Sequence, residues 1–140
     1  MIVSQKRVVA NSPEKIFKII RSILDAQVNN ECQEHFYIIG LNNKNVIQYI
    51  DLISIGTVNE ALVHPRDVFR EAISRNCVSI IVCHNHPSGN VQPSTNDLQT
   101  TERLVKAGGI VGIIVLDHVI ISENDFNSLG ESGHLNKMEV

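Results

Sequence analysis

Apolar residues at Ile16, Ile19, Ile20, Ile23 and Leu24 recur at helical spacing, and Ser12-Pro13-Glu14 ahead of them supplies an N-cap, a first-turn proline and an acid. The first predicted element is a helix. From Glu34 to Leu41 the pattern changes to β-branched and aromatic residues, Phe36, Tyr37, Ile38 and Ile39. Asn42-Asn43-Lys44-Asn45 then forms a turn cluster before a second such stretch, Val46 to Ile50, so the pair predicts a hairpin. Gly56 interrupts the pattern, and Pro65 opens a predicted helix with Val68, Phe69, Ala72 and Ile73 on one side. Val78 to Val82 is a nearly unbroken apolar run of strand length, which suits a strand covered on both faces; it stops at His84-Asn85-His86-Pro87-Ser88-Gly89. Beyond a polar loop, Ser94 to Lys106 predicts a helix stopped by Gly108-Gly109, followed by two β-rich segments, Ile110 to Leu116 and Val119 to Ser122. The stretch after Glu123 is weakly patterned. With no internal repeat and no linker, the fold class is α/β: a single domain built on a mixed β-sheet flanked by helices, its strand order left open by periodicity alone.

Composition narrows the picture. The 140 residues are 43% hydrophobic and 19% charged, which excludes disordered and fibrous classes. No apolar run approaches the roughly 20 residues that span a bilayer, and no basic-then-apolar leader opens the chain, so a cytoplasmic, membrane-free protein is expected. Cys32, Cys77 and Cys83 are odd in number with no C-x-x-C pair; they read as reduced, mostly buried residues rather than a disulfide framework. A formal charge of −3 offers no general attraction to phosphate backbones, so nucleic acid is not the default partner. Lys15 with Lys18, and Arg66 with Arg70, read as solvated helix faces. The pattern leaves the oligomeric state open.

The chemistry concentrates where the buried run ends. Side chains alternate along extended chain, so His84 and His86 point to one side and Cys83 to the other. Two imidazoles supply half of a tetrahedral metal site, and Asp97, in the first turn of the following helix, is the candidate third ligand. Two histidines and one carboxylate leave a position open, as catalytic zinc sites do. A plainer reading competes: Ser94-x-x-Asp97 is also a capping box that would start the helix without any metal. The two roles are compatible.

His84-x-His86, seven residues, Ser94, two residues and Asp97 reproduce the metal-binding motif of the JAB1/MPN (JAMM) metalloprotease domain. The hexapeptide His84 to Gly89 resembles that of its RadC branch. Gly56-Thr57, His64-Pro65-Arg66-Asp67, Asp117-His118-Val119-Ile120 and Ser128-Leu129 are also RadC-like, and the resemblance covers residues 30 to 130. It implies a cytidine-deaminase-like JAB1/MPN architecture, with residues 1–30 a helical lead-in and 31–140 the metal-binding domain. It further implies zinc held by His84, His86 and Asp97, with Glu34 as general base and Ser94 as donor to the oxyanion during amide hydrolysis. Glu31 is the near competitor of Glu34. His118 is expected to support the site by packing or hydrogen bonding, Asn85 and Ser88 to shape the loop, and His35, His64 and His134 to be structural or surface residues. Full-length RadC-like proteins usually begin with a helical region resembling a helix-hairpin-helix DNA-binding module, whereas only about thirty residues precede the metal domain here, so a standalone catalytic-type domain is expected.

Two other metal chemistries do not fit. Nucleases named for an H-N-H set spread those residues over tens of positions, and nucleobase deaminases need H-x-E followed by P-C-x-x-C. The remaining rival to a zinc-dependent hydrolase of peptides or protein conjugates is a non-catalytic module that recruits a protein or DNA partner in repair or replication. Retention of both histidines, Asp97, Ser94 and Glu34 favours the hydrolase.

Overall fold

The computed structural model describes residues 1–3, 7–27, 32–59 and 61–138. In chain order the elements are β1 (Ile2–Val3), α1 (Pro13–Asp25), β2 (His35–Leu41), β3 (Ile47–Ile55), α2 (Pro65–Ser74), β4 (Ser79–Asn85), α3 (Thr95–Val111), β5 (Ile114–Ile121) and β6 (Phe126–Ser128), with a short 3-10 turn at Leu135–Lys137. The strands form one mixed sheet in the order β1-β3-β2-β4-β5-β6. Among the described residues only β4 and β5 pair in parallel, and α3 is the crossover between them.

Alternation along the strands sorts most of the buried apolar residues into two cores, one on each face of the sheet, with a smaller cluster of Val91, Ile120 and Leu129 beside them. Tyr37, Ile39, Leu41, Ile81, Cys83, Val119 and Ile121 face α1, where Ile16, Ile20 and Leu24 cover them. Phe36, Ile38, Ile80, Val82 and Val115 face the other way, against Val68, Phe69 and Ala72 of α2 and Leu104 of α3. All seven residues of β4 are buried, as a strand covered on both faces must be.

The elements predicted up to β4 are present, though β3 runs on to Ile55 and Ile73 points to solvent at 55% exposure. The third helix departs from expectation. It does not stop at Gly108-Gly109 but continues to Val111, because the left-handed cap is Gly112 (φ 81°). Gly108 sits inside the helix for a different reason: a Cβ there would collide with the carbonyl oxygen of Ile113 as the chain turns back. The two β segments expected after it are one strand, β5. Its register against β4 shifts between Ile80 and Ile81, which pair with Val115 and Asp117, so Leu116 is an extra residue. That irregularity reverses the alternation and turns His118, rather than Asp117, onto the same face as His84.

Candidate metal centre

β4 carries His84 on the α3 side of the sheet, in the same row as Ile80 and Val82. The neighbouring pairing of Phe36 with His84 sets the start of β2 beside it. Phe36 stacks on the His84 ring with centroids 5.9 Å apart and fixes one side of the imidazole. The chain then leaves the sheet: the His86 N–H donates to Ile121 O at 2.8 Å, and the loop returns at Ser94 to begin α3.

The capping box forms and does not prevent Asp97 from facing the histidines. Ser94 Oγ accepts from the Asp97 N–H at 3.0 Å, and the Ser94 N–H donates to Asp97 Oδ2 at 2.9 Å. The same carboxylate lies 2.9 Å from His86 Nε2 and 3.3 Å from His84 Nε2, and the two Nε2 atoms are 3.0 Å apart. Burial alone would raise the Asp97 pKa. Contacts with the His84 and His86 rings and with the Ser94 backbone overcome this and hold it far below the usual carboxylate range. For His86 burial acts downward, but Asp97, the Asn90 carbonyl and the charge of Glu34 carry its pKa above the ordinary imidazole value.

Glu34 precedes β2. Its Oε1 lies 3.9 Å from His84 Nε2 and 3.7 Å from His86 Nε2, and its Oε2 accepts from the Val58 N–H at 3.3 Å. Its backbone is fixed from β4: Asn85 Oδ1 accepts from the His35 N–H at 2.6 Å, and Asn85 Nδ2 donates to Gln33 O at 3.1 Å, one bond on each side of Glu34. Glu31 lies outside the described residues.

Among the described residues, Glu34, His84, His86 and Asp97 form a group that could hold a metal ion, their ligand atoms all within 4.8 Å of one another. The donors fit one. The Asn90 carbonyl can only accept, so His86 Nδ1, 2.7 Å away, carries a proton, and Nε2, once its own proton is given up to a metal, turns its lone pair toward the cluster. Zinc bonds of 2.0 to 2.1 Å in a tetrahedron put neighbouring ligand atoms about 3.3 Å apart. The two Nε2 atoms and the nearer Asp97 oxygens lie close to that spacing, whereas Glu34 stands further off.

The cluster opens into a cleft of about 520 Å³ lined by Cys32, Gln33, Thr57, Pro87, Ser88 and Asn96, with Ser94 exposed on its wall. Ser94 Oγ accepts from Asp97, which leaves its own proton for a group in the cleft. His118 is behind the cluster, 2.7 Å from His84 Nδ1, and burial drives its pKa well below the ordinary imidazole value. Asp117 anchors the next turn, accepting from Ser128 Oγ at 2.7 Å and the Gly130 N–H at 2.9 Å. From sequence alone Asn85 reads only as a loop-shaping residue, because the bonds it makes across to the start of β2 depend on strand order. Thr101, which contacts His118, carried no sequence signal as a threonine inside a helix.

Residues 10–134 match the family described as RadC-like JAB domain. A UPF0758 protein of Listeria innocua is 44% identical over 134 residues, covering 96% of this chain and 58% of its own length. A UPF0758 protein of Bacillus cereus is 52% identical over 103 residues, covering 74% of this chain and 46% of its own. The chain thus spans about half the length of the curated relatives it matches.

Proposed function

The chain belongs to the RadC-like JAB domain family, and from that premise we propose that it is a zinc-dependent hydrolase of amide bonds in peptides or protein conjugates. The observation that carries this reading is the convergence of two imidazole nitrogens and two carboxylates at the mouth of one open cleft. His84, His86 and Asp97 would hold the ion, which when bound supplies a Lewis acid for the scissile carbonyl and makes water acidic enough to attack near neutral pH.

The chain's own groups do the rest. Glu34 takes the proton of the attacking water and delivers it to the leaving amine. The Asn85 bonds and the Val58 N–H hold its carboxylate toward the cluster while it does so. Ser94 directs its hydroxyl proton at the oxyanion that develops on the carbonyl, a contact commonly worth about 3 kcal/mol in the transition state. The proposed setting is the cytoplasm, in keeping with three free cysteines, and among the described residues no helix is long and apolar enough to cross a membrane.

Elemental analysis of the purified protein beside His84→Ala and Asp97→Ala tests the site, and peptide and isopeptide turnover beside Glu34→Gln tests the chemistry. The expected result is about one zinc per chain, lost in the first two variants, and a rate lowered by about 10² to 10⁴ in Glu34→Gln with zinc retained. A protein that binds no stoichiometric metal under chelator-free handling would instead be a partner-binding module.

A further inference from the structure

The ring nitrogens that face away from the cleft form a row of close contacts. His84 Nδ1 lies 2.7 Å from His118 Nε2, His118 Nδ1 lies 2.5 Å from Thr101 Oγ1, and Thr101 Oγ1 lies 2.7 Å from the carbonyl oxygen of Asp97. His84, Thr101 and His118 are each 0% exposed, so solvent neither supplies nor removes a proton along the row.

The direction of these bonds follows from counting protons. A hydroxyl has one. If Thr101 gave it to His118, its oxygen would meet the Asp97 carbonyl lone pair against lone pair; donation to the carbonyl satisfies both contacts. His118 Nδ1 is then the donor to Thr101. A fully buried imidazole whose hydrogen-bond partners among the described residues are a hydroxyl and another ring stays neutral and carries a single N–H. His118 Nε2 is therefore an acceptor, and the proton between the two rings belongs to His84 Nδ1.

We propose that Thr101 and His118 are positioning residues that lock His84 in its Nδ1–H tautomer and so keep its Nε2 lone pair aimed at the ion. The row begins at the main chain of one ligand, Asp97, and ends at another, His84. The carboxylate of Asp97 and Nε2 of His84 meet again at the cluster, 3.3 Å apart, so the two ligands are fixed to each other from both ends. His86 reaches the same state independently through Asn90. The proposal rests on the hydrolase reading only in taking His84 as a metal ligand.

The test uses the full chain, labelled with nitrogen-15. Two-bond proton–nitrogen spectra of the metal-free protein at mildly alkaline pH report which nitrogen of each imidazole is protonated. Competition with a chelating dye reports zinc affinity. The expected result is Nδ1–H for both His84 and His118 in the unaltered protein and in Thr101→Ser. Thr101→Val should bind zinc about 10- to 100-fold more weakly, with affinity restored in Thr101→Ser. His84 protonated on Nε2 in the unaltered protein would overturn the proposal, as would unchanged zinc affinity in Thr101→Val. Should that variant fail to fold, the spectrum of the unaltered chain still decides. A protein with the expected tautomers and zinc affinities that hydrolyses nothing would leave the relay standing and remove the hydrolase reading.

Discussion

Asp97 caps its own helix and meets both histidines with one carboxylate, and its pairing with His86 gives the cluster a pH response. Asp97 is lowered from an ordinary value of 3.8, and its stabilisation is present above 3.8 and lost as pH falls through the depressed value in the folded protein. His86 is raised from 6.5, and its stabilisation is complete below 6.5 and lost as pH rises through the elevated value. The metal-free protein should therefore gain most from the pair between pH 3.8 and 6.5. A metal ion taking His86 Nε2 would displace its proton, so the rise in Tm on adding zinc should grow as pH increases through that elevated value. Thermal melts with chelator and with zinc across this range check both; an increment independent of pH would contradict the pairing. Asn85 bears on the same cluster through the backbone. Asn85→Ala leaves the buried His35 N–H without its acceptor, at a cost of about 1 to 3 kcal/mol, while zinc content should be unchanged. Denaturant titration with elemental analysis measures the two separately.

At the scale of elements, legibility followed local rules. α1 was readable because its cap, proline and apolar stripe agree, and β4 because a short buried run has few other meanings. The ligand spacing was readable because strand end, loop and helix start are consecutive. The end of α3 is not legible in the sequence, since a glycine pair inside a helix looks like a stop unless the close approach of Ile113 is known. β5 reads as two segments because Asp117 and His118 are polar residues where a buried strand would continue apolar; they serve the turn and His84 instead. The Gly108→Ala variant should accordingly lower stability by about 1 to 3 kcal/mol, the usual range for overpacking, where an ordinary helix interior would gain from alanine. A stabilised Gly108→Ala in urea unfolding would show that the helix and Ile113 separate more easily than their packing suggests.

Across the whole molecule the sheet keeps two cores apart, one under α1 and one under α2 and α3, and the candidate ligands lie on the second side. Ile20, 0% exposed in the first core, can lose its side chain without touching the cluster. Ile20→Ala should cost about 2 to 5 kcal/mol and lower Tm, while zinc bound per folded chain stays at the unaltered value. Loss of zinc in proportion to stability would mean that the two cores act as one. This division, like the strand order that creates it, was not legible beforehand, because alternation identifies the two faces of a strand but not its neighbours.

The central position of β4 also governs how an ion would come and go. β4 is hydrogen-bonded to β2 on one side and β5 on the other, and both of its faces are covered. Its amides should exchange with deuterium only when the whole domain opens, which fixes His84 for the lifetime of the fold. The loop from Pro87 to Pro93 and the first turn of α3 have no such ladder, and most of their residues reach solvent. Metal release would then proceed by fraying of the Ser94–Asp97 turn. Its rate would be set by a local opening much faster than unfolding, so the ion would turn over many times within the life of one folded chain.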